Sequence, residues 1–442
     1  MEQFSEREEK EISGSDGLSR KQYIRYDAVR LNAVQVVESL RAGVPTRAST
    51  RSLPDLRPGL TDAIRADLLT FSEGRIPRGR IIWGQYGQGK THALTTIEHI
   101  ALDMGFAVSM VSLSREVSCY NLLQFYGRVA PRLRIPDSTI LGLERPLKQR
   151  GWQELADSPV LEADRYAHPL PAMVLEDFFY TSGEEQNLLY GDLIGIRLPL
   201  AELKRIHRAA RQAAMPKMPP FKAGEHASAY FGLMADAVRL CGYKGWVILI
   251  DELELVGRLG PAGRLKAYRN LAWLLNWAGV MRYPIYTVAA AATRLQDDIW
   301  YGGGKDDRTV MPALAEEKFG AEARRDMEAF FARAVDTDSL TVRPVETDRL
   351  LEVLEALAEI HGTAYDWVPV LDAGELVAGL GAQPVRTYIR AALEALDLKY
   401  VYGEKAKVKA AELREQSLTE DSGFWAGEDA AEYAEQNDEG GK

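Results

Sequence analysis

Gly84-Gln85-Tyr86-Gly87-Gln88-Gly89-Lys90-Thr91 matches the pattern GxxxxGK[ST] in full, and its flanks decide how it is read. Before it, Gly79-Arg80-Ile81-Ile82-Trp83 is a short apolar run of the kind that forms a buried strand. After it, Ala93, Leu94, Ile97 and Ile100 recur at helical spacing. Strand, glycine loop and helix in that order make a phosphate cradle. The glycines let backbone N–H groups wrap a β-phosphate, and the helix N-terminus adds the positive end of its dipole. In such a loop Lys90 reaches the β- and γ-phosphates and the Thr91 hydroxyl ligates Mg²⁺. Residues Gly84, Gln85, Tyr86, Gly87, Gln88, Gly89, Lys90 and Thr91 are therefore the expected ATP-binding set. His92 follows directly, placed either to approach the nucleotide or to pack on its helix.

A second run completes the chemistry. Val247-Ile248-Leu249-Ile250-Asp251-Glu252 reads as a buried parallel strand that delivers two acids to the ligand crevice. There Asp251 would hold Mg²⁺ and Glu252 would polarise the attacking water. Glu254 reads as a spare acid, either solvated or standing behind the two that face the ligand. The Ala-rich run Pro284–Ala292 ends in Thr293-Arg294, and Thr293 is either a contact to the γ-phosphate or a strand-end cap. Farther on, Pro384 suits the first position of a helix whose apolar stripe is Ile389, Ala392, Leu393 and Leu396. Arg386 then falls in the first turn, where the dipole opposes a cation unless a phosphate stands in front of it. The alternative is an arginine paired to a surface acid.

Working outward, Phe106–Leu113, Trp246–Ile250, Pro284–Ala292 and Leu340–Val345 add further strand-like runs, with helical patterns between them. The fold class is α/β: a nucleotide-binding domain with a largely parallel sheet. Residues 114–245 exceed what one strand–helix–strand crossover needs, so most of them form an insertion, expected to be helical from its scattered prolines. Within it, Lys204, Arg208 and Arg211 share a helix face, either a phosphate-backbone contact or a solvated surface. The expected domains are 1–24 disordered, 25–345 with an insertion at about 115–245, a helical lid at 346–402, and an acidic disordered tail at 403–442.

Composition narrows the class. The 442 residues are 46% hydrophobic and 27% charged, a globular balance. The net charge of −10 is concentrated at the end: Glu415–Lys442 holds nine acids and one lysine, leaving only −2 on the other 414 residues. Net charge thus neither supports nor excludes nucleic acid as a partner. No apolar run is long enough to span a bilayer, and Met1–Gly14 has no apolar leader core, so a cytoplasmic protein away from the membrane is expected. Cys119 and Cys241 lie far apart, with no disulfide or zinc spacing, and the six histidines show no metal pattern.

Taken together these residues resemble an AAA+ P-loop ATPase of the branch that includes origin-recognition and initiator-loading proteins, over roughly residues 25–400. That likeness implies ATP bound at Gly84–Thr91, the acid pair Asp251-Glu252, a polar sensor at Thr293 and a second sensor, Arg386, from the lid. More narrowly, Val37–Pro45 (VESLRAGVP), GQYGQGKTH at Gly84–His92 and GYKGWVILIDELE at Gly242–Glu254 resemble the ATP-binding proteins of BREX (bacteriophage exclusion) and related methylation-associated anti-phage systems. The resemblance implies an ATP-hydrolysing subunit with ATP and Mg²⁺ as cofactors and other defence proteins as partners. DNA and further copies of the chain are additional candidate partners. Two rivals stand beside it: a nucleotide-gated scaffold with negligible hydrolysis, and an AAA+ loader in replication or transposition. A small-molecule kinase is a weaker third. The insertion is long for the family, and no single arginine among Arg308, Arg324, Arg325 and Arg333 stands out as a finger.

Overall fold

Five of the apolar runs form one sheet. A computed structural model describes residues 20–43, 46–162, 164–302 and 304–403. The expectations for residues 1–19 and for the acidic tail lie outside the described residues. The described chain divides into two units, residues 57–343 and residues 20–56 with 344–403.

The larger unit carries strands β1 (Arg80–Gly84), β2 (Ala107–Ser112), β3 (Leu133–Arg134), β4 (Trp246–Asp251), β5 (Ile285–Ala292) and β6 (Ser339–Thr341). Their order is β3-β2-β4-β5-β1-β6, parallel except for the two-residue β3, which runs antiparallel to β2. That short edge strand carries no periodicity of its own and is absent from the sequence reading.

The central strands read as unbroken apolar runs because both of their faces are covered. On one face Ile82, Val108, Leu249 and Val288 meet the helices Pro58–Ser72 and Lys90–Asp103 through Ile64, Leu68, Leu94 and Ile97. On the other face Ile81, Trp83, Ile248 and Ala291 join a core with Phe231, Tyr268, Trp300 and Phe330. β5 is alanine-rich for a packing reason. In register with β1, its Ala289, Ala290 and Ala291 stand beside Ile81, Ile82 and Trp83, so small side chains make room for large neighbours.

The insertion is helical, with helices Leu122–Val129, Leu170–Tyr180, Gly183–Leu193, Leu200–Arg211 and Ala223–Leu240. Buried acids tie them together. Asp192 accepts from the Tyr230 hydroxyl at 2.8 Å and from the Leu198 amide at 2.8 Å. Asp236 accepts from the Tyr166 hydroxyl at 2.8 Å and from Arg165 Nη2 at 2.7 Å. Each buried carboxyl thereby has hydrogen-bond partners, without which its burial would cost free energy.

The smaller unit corrects one expectation. The sequence assigns residues 25–56 to the same domain as the sheet, but helix Arg20–Arg41 packs with Thr347–Tyr365 and Val385–Tyr402 instead. Val36, Val37 and Leu40 enter one core with Val353, Leu354, Leu357 and Leu393. Arg41 binds both carboxylate oxygens of Asp397 at 2.7 and 2.8 Å, and Arg30 Nε donates to the Ala364 carbonyl at 3.1 Å. An amphipathic stripe announces that a helix will be buried, without saying against what.

Candidate functional site

At the carboxyl ends of parallel strands the outward crevice collects ligand-binding groups. Here the order β4-β5-β1 sets three of those ends side by side. The phosphate loop leaves β1, the acids leave β4, and Thr293 leaves β5 between them.

The loop's shape comes from its glycines. Gly87 (φ +77°) and Gly89 (φ +87°) adopt left-handed backbone, which glycine enters without steric cost. Gly84 is needed for space, since a Cβ there would lie 2.9 Å from Val342 Cβ. Two glutamines close the turn: Gln88 Oε1 accepts from the Gln85 amide at 2.8 Å, and Gln88 Nε2 donates to Gln85 Oε1 at 3.3 Å. Tyr86 is exposed at the loop's crest. Lys90, only 7% exposed, donates to the carbonyls of Gly84 and Gln85 at 3.2 and 3.1 Å, so its ammonium sits inside the cradle. Helix Lys90–Asp103 begins there with no acid in its first turn, leaving its positive end for an anion. His92 is half-buried in that turn.

Residues 160 positions apart meet at the next step. Thr91 Oγ1 donates to Asp251 Oδ2 at 2.6 Å. The other carboxylate oxygen of Asp251 accepts from the Glu252 amide at 2.9 Å, and the side chain is 2% exposed. Glu252 itself has left-handed backbone (φ +57°), a conformation that costs a non-glycine residue and recurs at functional sites. Its carboxyl is pushed up to about 7, first by burial, then by the negative charges of Glu254 and Asp251, with Lys90 opposing. A proton affinity near neutrality is what a general base at physiological pH needs.

Of the two expectations for Glu254, a solvated acid or one standing behind the ligand-facing pair, the structure fits the second. Glu254 is 6% exposed, lies within hydrogen-bonding reach of Glu252, and its Oε2 accepts from the Ala292 amide at 2.9 Å. It thus ties the end of β4 to the end of β5, and Thr293 follows with its amide donating to the Gly84 carbonyl at 3.3 Å. Removing this acceptor in Glu254→Ala leaves a buried N–H unpaired, and such a loss costs about 1–3 kcal/mol. Glu254→Gln keeps an acceptor oxygen and should cost clearly less. Denaturant midpoints of the two variants measure the difference, and equal losses would show that the Ala292 bond is not what Glu254 contributes.

Arg57 gives no signal in the sequence and belongs to the site by contact alone. It precedes helix Pro58–Ser72, donates from Nη2 to the Gln88 carbonyl, and from Nε to the Arg343 carbonyl at 3.4 Å. A guanidinium therefore lies against the phosphate loop at Gln88–Gly89.

Arg386 belongs to the smaller unit, as the second residue of helix Val385–Tyr402, with its side chain beside Gly43. Pro384 stands one position earlier than expected, as the cap residue. Of the finger candidates, Arg324 is engaged by Glu316 and Glu328 at 2.8 and 2.9 Å, Arg333 by Asp338 at 3.0 Å, and Arg308 lies over the Tyr301 ring; Arg325 is exposed. Burial pushes the thiols of Cys119 and Cys241 up to about 12, so neither is a nucleophile.

Among the described residues no group of three or more His, Cys, Asp or Glu could hold a metal ion. Mg²⁺ asks for less. It is typically held by one or two protein oxygens, with substrate phosphates and water completing the shell. The facing hydroxyl and carboxylate of Thr91 and Asp251 are that kind of donor pair.

A mostly parallel α/β sheet with this loop and these strand-end acids defines a P-loop nucleotide-binding protein. The chain belongs to the family described as BREX system ATP-binding protein BrxC/D, which it matches over residues 30–142 and 223–381. Membership implies that it works with the other components of such a system. No curated protein matches the chain at significance. Among solved structures, the ORC2 protein of Aeropyrum pernix, determined as ADPNP–ADP complexes, is similar at a TM-score of 0.38 and 13% identity, over 85% of this chain and 69% of that one. No described helix is long and apolar enough to cross a membrane.

Proposed function

We propose that the chain is an ATP-hydrolysing switch subunit of a cytoplasmic BREX-type anti-phage complex that handles DNA. The observation that carries the reading is the convergence of Lys90, Thr91, Asp251 and Glu252 beyond the ends of β1 and β4, on either side of β5, with the base candidate held near neutral proton affinity. In the reaction the loop amides of Gly84–Thr91 bind the phosphates and Lys90 turns from its carbonyl partners to the β- and γ-oxygens. Gln85, Tyr86 and His92 border that path, and Arg57 steadies the loop from behind. Glu252 takes the proton of the attacking water, and Thr293 orients that water or the γ-phosphate. Mg²⁺, which Thr91 and Asp251 would hold, supplies neutralising charge on the phosphates. Closure of a lid bearing Arg386 over ATP, and its release after hydrolysis, would pass the nucleotide state to partner proteins or to further copies of the chain.

The direct test is phosphate release from Mg-ATP, with and without duplex DNA. ATP-dependent stabilisation with no release under either condition would leave the scaffold reading in place of an ATPase. The sensor role is separable. Arg386→Ala should cut turnover at least tenfold while changing ADP affinity little, because ADP lacks the contacted group. Arg386→Lys should rescue only partly, since a point charge does not reproduce a guanidinium fork. Paired ATP and ADP affinities decide it: if both fall together, or neither moves, Arg386 is structural.

A further inference from the structure

Residues 143–222 lie between the two stretches of the family match, so part of the insertion belongs to this chain rather than to the shared ATPase core. Helix Leu200–Arg211 in that segment buries Leu203, Ile206 and His207 and shows four cations elsewhere. They are not equivalent. Arg211 lies 3.9 Å over the Tyr180 ring, pairs with Glu176, and stands 3.6 Å from Asp177, whose carboxylate also meets His207 Nδ1 at 2.8 Å. That network fastens the helix to Leu170–Tyr180, so Arg211 has a structural task. Arg205, half exposed, binds Glu202 and Glu185.

Lys204 and Arg208 are exposed and meet no carboxylate among the described residues. With Arg205, Ala201, Ala214 and Met215 they line an open concavity of about 490 Å³ that contains no acid. Lys217 is exposed on the segment that continues from Met215. Cations at i and i+4 repel one another, and Lys204 stands too far from the helix end to gain from its dipole. Their concentration here contrasts with a chain that is nearly neutral outside its tail.

We propose that this concavity, together with the segment that continues from Met215, seats the phosphate backbone of duplex DNA, with Lys204, Arg208 and Lys217 each neutralising a phosphate. Three features select that ligand. The lining has no aromatic ring on which an unpaired base would stack, which argues against a single-strand platform. It has no carboxylate to repel a phosphate, and its charged groups are lysine and arginine on long stems, the side chains that most often meet the backbone. Lys204 and Arg208 stand one helical turn apart, and Arg208 lies in the last turn, where the partial negative charge of the helix end repels a lone anion, so binding favours a polyanion that engages several cations at once. The inference extends the DNA-handling part of the proposed function and can fail without it.

The test uses the full chain with a labelled random-sequence duplex, its affinity read by fluorescence anisotropy between about 50 and 200 mM salt, with and without Mg-ATP. The triple variant K204Q/R208Q/K217Q changes only exposed side chains, and an unchanged thermal melt confirms its fold. It should bind more than tenfold weaker at the lowest salt, with the slope of log affinity against log salt reduced by about 2.7, roughly 0.9 for each lost phosphate contact. Lys318→Gln, an exposed lysine on helix Asp307–Phe319, should leave both quantities close to wild type. Unaltered affinity and slope in the triple variant would overturn the inference and leave DNA handling to another surface. Absence of duplex binding by the wild-type chain in every nucleotide state would overturn both, while phosphate release, measured apart, still tests the ATPase reading.

Discussion

Replacing Glu252 by glutamine should leave ATP binding intact and lower turnover by about 10²–10⁴-fold, the usual contribution of a general base. The amide keeps the size of the side chain and the backbone amide bond to Asp251, which does not involve the carboxyl. What it removes is the only function that needs a proton acceptor. The same substitution has a second, opposite consequence for stability. The Glu252 carboxyl moves from its ordinary 4.5 to about 7 on folding, mainly through burial and the neighbouring charges of Glu254 and Asp251. A raised value means that its contribution favours the folded chain below about pH 4.5 and is lost as pH rises through about 7. Without nucleotide, the wild type should therefore lose melting temperature across that window for this reason, and Glu252→Gln should lose less. Above pH 7 the inactive variant should be at least as stable as the active chain. Melting curves at matched ionic strength, with steady-state phosphate release on the same samples, check both halves. Parallel pH dependence in the two proteins would show that Glu252 does not titrate as described, and undiminished turnover would remove it from the reaction.

The second large effect is at Lys90. Its ammonium lies between two loop carbonyls, and the cost of burying that charge offsets much of what the two bonds contribute, so Lys90→Ala should change stability without ligand little. With Mg-ATP the two proteins should separate. A ligand present at a hundred times its dissociation constant stabilises the folded state by about 2.7 kcal/mol, and the wild type should gain several degrees in melting temperature. The variant should gain almost none, because the loop loses the charge that meets the phosphates. Equal ATP-induced shifts in both proteins would sink the assignment of Gly84–Thr91 as the nucleotide site.

Much of this site is legible in the chain because its parts are local. Gly84–Thr91 is one uninterrupted stretch, and Gly87 and Gly89 are required by their own backbone angles, while Gly84 answers to a distant neighbour, Val342. Asp251 and Glu252 close a wholly buried strand, a pattern visible in six residues. Glu254 and Arg57 are different. Glu254 is marked by its long-range bond to the Ala292 amide and Arg57 by those to the Gln88 and Arg343 carbonyls, and no periodicity marks either.

By itself, then, the sequence determines the period of each element and the loop that takes phosphate, since hydrophobic spacing and glycine conformation act within a few residues. The tertiary structure alone decides which elements meet. It brings β5 between β1 and β4, so that Thr293 reaches the gap between loop and acids. It draws helix Arg20–Arg41 away from the sheet unit to which its position assigned it, and joins it to the C-terminal helices. It also separates Arg211, which holds the insertion together, from Lys204 and Arg208, which face solvent from the same helix. An apolar stripe or a row of cations is complementary to many surfaces. Only the packed chain, where each buried group must find a partner or lose free energy, selects one.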